Sequence, residues 1–146
     1  MSEAKSVLLV EITVIGHATE SRDALLKVLE SVLPRELVGT VKISETTLHG
    51  HYGNPIRIMR VVVEQPHAYK VFENIMRRMD PSSRRLLKAT MDLRLQGGRI
   101  LHLRLHKQYL LENKLVLWDG DDTVKVTVRF RSRREAAKTL ERIGEN

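Results

Sequence analysis

The chain has 146 residues, 42% of them hydrophobic, and no cysteine, so one domain with a proper core is expected and disulfides, thiolate metal sites and cysteine nucleophiles are excluded. The 25 Lys and Arg outnumber the 18 Asp and Glu, giving a net charge of +7, a surface that attracts polyanions. No apolar stretch approaches the roughly 18 residues of a membrane span. The N-terminal run, interrupted by Glu11, does not read as a signal peptide, so a cytoplasmic protein without membrane contact is expected.

Residues 7–15, VLLVEITVI, read as a strand buried on both sides, because apolar residues fill both parities. A helix is predicted over about 20–33, with Thr19 as N-cap and Leu25, Val28, Leu29 and Val32 on one face. LVGTVKISETTL (37–48) predicts a second strand and IRIMRVVVEQ (56–65) a third. Pro66 is placed in the first turn of a second helix, whose apolar stripe is Val71, Phe72, Ile75, Met76 and Met79. Asp80 and Pro81 predict the N-cap and first residue of a short helix reaching about residue 89.

A hairpin follows. Met91, Leu93 and Leu95 alternate with Asp92, Arg94 and Gln96; Leu101, Leu103 and Leu105 alternate with His102, Arg104 and His106. A three-residue loop, Gly97-Gly98-Arg99, pairs Leu95 with Leu101 and Leu93 with Leu103, keeping the apolar face whole. It also places Asp92 opposite Arg104, a pair worth on the order of 0.2–1 kcal/mol. KQYLLENKLVLWDGDD (107–122) reads as irregular, with Trp118 assigned to the core. TVKVTVRFR (123–131) is a last strand with Val124, Val126, Val128 and Phe130 inward. Ser132 and Glu135 form a capping box for a C-terminal helix with Ala136, Leu140 and Ile143 on one face. Helices mixed with hairpins give an α+β class: one domain, 1–146, with a mixed or antiparallel sheet and helices on one face.

The chemistry-bearing motifs are few. HGHYGNPI (49–56) lacks the spacing of a phosphate loop or a dinucleotide loop. His102 and His106 share a strand face but lie about 13 Å apart, too far to chelate one ion. The DGDD run at 119–122 lacks the calcium-loop pattern, so no metal and no cofactor is expected. The basic residues gather after residue 56, and arginine suits bidentate phosphate contacts and stacking on bases. In the loop 47–56, Gly50 and Gly53 permit turns closed to other residues, and Pro55 biases Asn54 to extended backbone. His51 and Tyr52 are then rings presented by a shaped connector, with Tyr52 the best stacking candidate.

GHYGNPI (50–56), LRLHKQYL (103–110) and DDTVKVTVRF (121–130) together resemble a small archaeal family of predicted RNA-binding proteins, also described as predicted exosome subunits. The resemblance spans about residues 6–131, leaving 132–146 as a C-terminal helical extension. It implies a fold similar to the ribosomal protein that binds 5S rRNA. The family usually carries Asp before the Lys-Gln pair; here the residue is His106.

The expected function is therefore non-catalytic RNA binding, as an accessory to RNA processing or decay. The expected site joins His51, Tyr52, Asn54, Arg57, Arg104, Lys107 and Gln108, with Arg129 and Arg131 adding phosphate contacts. Expected partners are RNA, exosome- or ribosome-associated proteins, and a second copy of the chain. The alternative is a protein-interaction subunit or homodimeric structural protein whose basic faces dock an acidic partner. A third reading, a metal-dependent nuclease, needs carboxylates clustered in a cleft, whereas Asp92, Asp121 and Asp122 are dispersed in sequence.

Overall fold

The computed structural model describes residues 3–17, 19–50 and 52–143. Strand β1 (Val7–Gly16) leads through a loop to helix α1 (Arg22–Val32), then β2 (Ile43–His49) and β3 (Pro55–Glu64) form a hairpin. Helices α2 (Ala68–Arg78), α3 (Pro81–Ala89) and α4 (Met91–Arg94) precede strands β4 (Leu95–Gln96) and β5 (Ile100–His106). Helix α5 (Lys107–Leu111), strand β6 (Thr123–Phe130) and helix α6 (Arg133–Ile143) complete the order. Among the described residues the strands form one sheet, β2-β3-β1-β6-β5-β4, and every pairing in it is antiparallel. The class is α+β in a single unit.

Period-two alternation makes one side of this sheet apolar. Val10, Ile12 and Val14 of β1 are buried beside Met59, Val61 and Val63 of β3 and Val124, Val126 and Val128 of β6. Helices α1 and α2 cover that side with the stripes their 3.6-residue period predicts: Leu25, Val28, Leu29 and Val32, then Val71, Phe72, Ile75 and Met76. Phe72 meets Phe130 edge-on, centroids 5.5 Å apart, a contact worth about 0.5–1.5 kcal/mol beyond the area it buries. Asp80 caps α3 by accepting the amide of Ser83, with Pro81 in the first turn. Ser132 caps α6 through the amide of Glu135. No helix among the described residues is long and apolar enough to cross a membrane.

Strand β1 is buried on one side only, because Leu9, Thr13 and Ile15 face the side the helices leave open. Four further expectations give way. Helix α1 starts at Arg22, capped by Ser21 rather than Thr19, because the Ser21 hydroxyl reaches the Ala24 amide. Residues 35–40 form a 3-10 turn and loop, so β2 begins at Ile43. Pro66 lies in the turn before α2, whose N-cap is His67.

The fourth is the hairpin. The three-residue loop and the Leu95–Leu101 register hold, with Gly97 and Gly98 at φ of 59° and 72°. Before Leu95, however, the chain is helical, so the Leu93–Leu103 and Asp92–Arg104 pairs do not form. The edge of β5 that they would have filled is taken by residues 115–118 instead. Leu117 bridges Leu105, the Trp118 amide donates to the Arg104 carbonyl at 2.9 Å, and the His106 amide donates to the Val116 carbonyl at 2.9 Å. Leu93 is thereby left 88% exposed, and Trp118, expected in the core, is 47% exposed.

Candidate nucleic-acid interface

The side of the sheet that α1 and α2 do not cover carries four exposed cations. The register places Arg60 of β3 beside Thr13 of β1, Thr13 beside Lys125 of β6, and Lys125 beside Arg104 of β5. Two rows along, past Glu11, Thr127 and His102, Arg129 lies between Leu9 and Ile100. All four basic residues are exposed. Arg60 approaches Glu11 at 3.9 Å, while Arg104, Lys125 and Arg129 have no carboxylate at ion-pair distance among the described residues. Trp118 extends the row. Its neighbour Leu117 is buried against Leu105, so Trp118 shares the open side with Arg104, directly across the strand gap. The His106 ring meets it edge-on at 5.3 Å.

Helix α4 makes one wall of a groove over this face, of about 690 Å³. Arg94, 9% exposed, forks onto Asp119 through two hydrogen bonds of 2.9 and 2.7 Å, and its Nε donates to Thr90 at 2.7 Å. The Arg94 guanidinium holds the Asp119 carboxyl below its ordinary value, chiefly by hydrogen bonding, against the opposing effect of burial. The wall residues are thus locked before any ligand arrives. Ile15, Ile58 and Arg60 border the opposite side.

At the end of the sheet, Lys107 is 2% exposed. Its ammonium donates to the Ile15 carbonyl at 2.7 Å and meets Glu20 at 3.1 Å and Asp122 at 2.6 Å. Three acceptors match the three donors of the group, which is what burying a lysine requires. The hydrogen bond from Lys107 lowers the Asp122 carboxyl below its ordinary value. His106 caps α5: its Nδ1 accepts the Tyr109 amide at 3.3 Å, which puts the ring proton on Nε2. An aspartate at this position caps helices by the same kind of bond.

The site expected from the sequence is divided by this geometry. Arg104 and Arg129 stand on the open face. Arg57 has the parity of Met59 and faces the helical side, where it and Arg22 share Glu45, each at 3.0 Å. Lys107, expected at the surface, is a buried structural cation. Gln108 is exposed on α5, where its side chain helps Lys107 hold the Asp122 carboxyl below its ordinary value. Arg131 lies past the end of β6, paired with Glu135. Tyr52, 86% exposed, and Asn54, whose carbonyl accepts the Gly50 amide at 2.7 Å, sit at the β2–β3 tip. That tip lies beyond Ile56, itself about 13 Å along β3 from Arg60. His51 lies outside the described residues. The sequence reading missed Arg60, Lys125, Leu93 and Trp118 as site residues. The parity of β3, with Met59 inward, was enough to find Arg60.

The third reading, a metal-dependent nuclease, asks for carboxylates clustered in a cleft. Among the described residues no three His, Asp or Glu side chains come together as a metal site needs. Glu20 and Asp122 share the Lys107 ammonium, and Asp119 is taken by Arg94.

Residues 9–130 match the family described as RNA binding. The chain belongs to that family. It is 31% identical over 127 residues to the uncharacterised protein MJ0213 of Methanocaldococcus jannaschii, covering 84% of this chain and 83% of that one. It is 22% identical over 118 residues to the RNA-binding protein PAB1135 of Pyrococcus abyssi, with 80% and 77% covered. Among solved structures, protein SSO0741 of Sulfolobus solfataricus superposes with a TM-score of 0.79 at 28% identity, covering 94% of this chain and 98% of that one. Mth689 of Methanothermobacter thermautotrophicus shares the fold, with a TM-score of 0.72 at 19% identity over 94% and 98% of the two chains.

Proposed function

We propose that this protein binds RNA on the open face of its sheet, without catalysis, as an accessory to RNA processing or decay. The observation that carries the reading is the row Arg60, Lys125 and Arg104, which aligns three cations across four strands on the side the helices leave bare. A polyanion is the natural complement of such a row, because each neutralised phosphate releases condensed counterions. Membership of an RNA-binding family supports RNA as that polyanion. The non-catalytic reading rests on the carboxylates: Glu20, Asp119 and Asp122 are each committed to a basic partner. Proteins of RNA processing or decay are the partners this role implies.

The test is RNA affinity as a function of salt for the intact chain and three variants. Three phosphate contacts give a log–log slope of roughly −2 on a single strand. Arg104→Glu and Lys125→Glu should each weaken binding and flatten that slope. Lys70→Glu, on exposed α2 at the opposite side, should do neither. Affinity indifferent to salt, or sensitive to Lys70→Glu and not to the other two, overturns the assignment of the face.

A further inference from the structure

The geometry points to a single, unpaired RNA strand as the ligand of the open-face groove, laid across the β-strands from Arg60 toward Trp118; we infer this class of ligand as a refinement that rests on the function proposed above. Three independent features carry it.

The first is the direction of the cations. Arg60, Lys125, Arg104 and then Trp118 succeed one another perpendicular to the strands, not along one strand. At about 4.8 Å per strand the row spans about 19 Å. A backbone following that row meets charge at β3, β6 and β5 in turn and ends against an indole.

The second is a pair of exposed apolar side chains along the same path. Leu93 is 88% exposed on the groove wall, and Trp118, next to the groove's Arg104 and Asp119, is 47% exposed. Neither gains from a duplex, whose base faces are already stacked and whose surface is phosphate, sugar and groove edge. Both gain from an unpaired strand. A base face stacks on the indole, and ring or sugar carbon covers the leucine. The His106 ring, edge-on to Trp118 at 5.3 Å, and the turn at Gly120 hold the indole in place while it stays 47% exposed.

The third is shape. The groove of about 690 Å³ is closed on one side by α4, with Arg94 held on Asp119 and Thr90. This concave slot suits a flexible strand that can enter it, and a rigid cylinder would rest on its rim.

Trp118 is the chain's one tryptophan, so its fluorescence reports on this position alone. The experiment titrates the full chain with a single-stranded RNA of about 12 nucleotides, within the range a single-strand groove accommodates, and with a duplex of the same length. Binding is read by anisotropy of the labelled RNA and by indole emission. The single strand should bind at least about tenfold more tightly and quench the indole. Trp118→Ala should cost the single strand about tenfold or more while leaving duplex affinity unchanged. Leu93→Ser, which alters a side chain already in solvent and so leaves folding intact, should lower single-strand affinity too. A duplex that binds as well as the single strand, or single-strand binding that neither quenches Trp118 nor responds to its removal, overturns this inference and leaves RNA binding standing. Failure of both RNAs to bind overturns the proposed function itself.

Discussion

The Lys107 ammonium lies 2.6 Å from the Asp122 carboxylate and 3.1 Å from that of Glu20, joining the β1–α1 loop, the end of β5 and the start of β6 at one buried point. It also takes the Ile15 carbonyl at the end of β1. Removing one member of a buried, hydrogen-bonded set strands the others. Lys107→Ala should therefore destabilise the protein by about 3 kcal/mol, since Glu20 and Asp122 retain partial access to water. Urea unfolding reads this directly. A loss within about 0.5 kcal/mol, the range of ordinary surface substitutions, would show that the lysine is a surface residue after all.

Acid should loosen the same region. Asp122 and Asp119 are both held below the ordinary carboxylate value of 3.8, by hydrogen bonds from Lys107 and Arg94 respectively. A carboxyl with a depressed folded-state pKa contributes stability above its unfolded value, and that contribution vanishes as pH falls through the folded one. Stability should therefore decline as pH drops below about 4. Both side chains are partly in water, so each contribution is screened and the decline is gradual. In Asp119→Asn and Asp122→Asn the slope of stability against pH in that window should be shallower. Unchanged slopes would mean that neither carboxyl is coupled to its cation.

A close approach hidden from any pattern reading sits at the end of β1. A Cβ placed on Gly16 would lie 2.1 Å from Leu25 Cδ1 and 2.9 Å from its Cγ, and Leu25 is itself 1% exposed. Helix α1 can rest on the sheet here only because residue 16 has no side chain. Gly16→Ala should cost about 1–3 kcal/mol by overpacking, seen as a lower unfolding midpoint with an unchanged urea dependence. A variant as stable as the parent would mean that α1 shifts without loss.

These features mark where the sequence was and was not enough. Amphipathic stripes such as Leu25–Val32 and Val71–Met76 are local, periodic facts, and they placed α1 and α2 on the sheet correctly. The alternation Met91–Leu93–Leu95 is equally regular, yet it failed, because strand pairing is a competition between segments for one edge. Residues 115–118 occupy the edge of β5, and Arg94 gains a bidentate partner in Asp119 by staying helical. That partner is 25 residues away, beyond any local window. The same contest brought Trp118 out of the core and onto the open face. Lys107 misled for a related reason. A lysine in a basic stretch reads as solvated until its three acceptors, contributed from residues 15, 20 and 122, are seen together.

His106 offers the test that joins motif to mechanism. Its Nδ1 accepts the Tyr109 amide as an N-cap, and its ring contacts Tyr109 at 4.4 Å and Trp118 at 5.3 Å. His106→Ala loses the cap, about 1 kcal/mol, and both ring contacts, each about 0.5–1.5 kcal/mol, so its stability should fall by roughly 2–4 kcal/mol. His106→Asp keeps a capping acceptor and removes the ring. Aspartate ranks above most residues as a cap, so this variant should recover about 1 kcal/mol of the loss while leaving the Trp118 ring without its edge-on neighbour. The two effects separate by measurement: unfolding reads the cap, and Trp118 fluorescence anisotropy reads the freedom of the indole. Aspartate that restores no stability would show that position 106 acts through its ring alone. Aspartate that restores stability with an indole as rigid as the parent's would show that Trp118 is held by the turn at Gly120 instead, where a Cβ would lie 2.5 Å from the indole nitrogen.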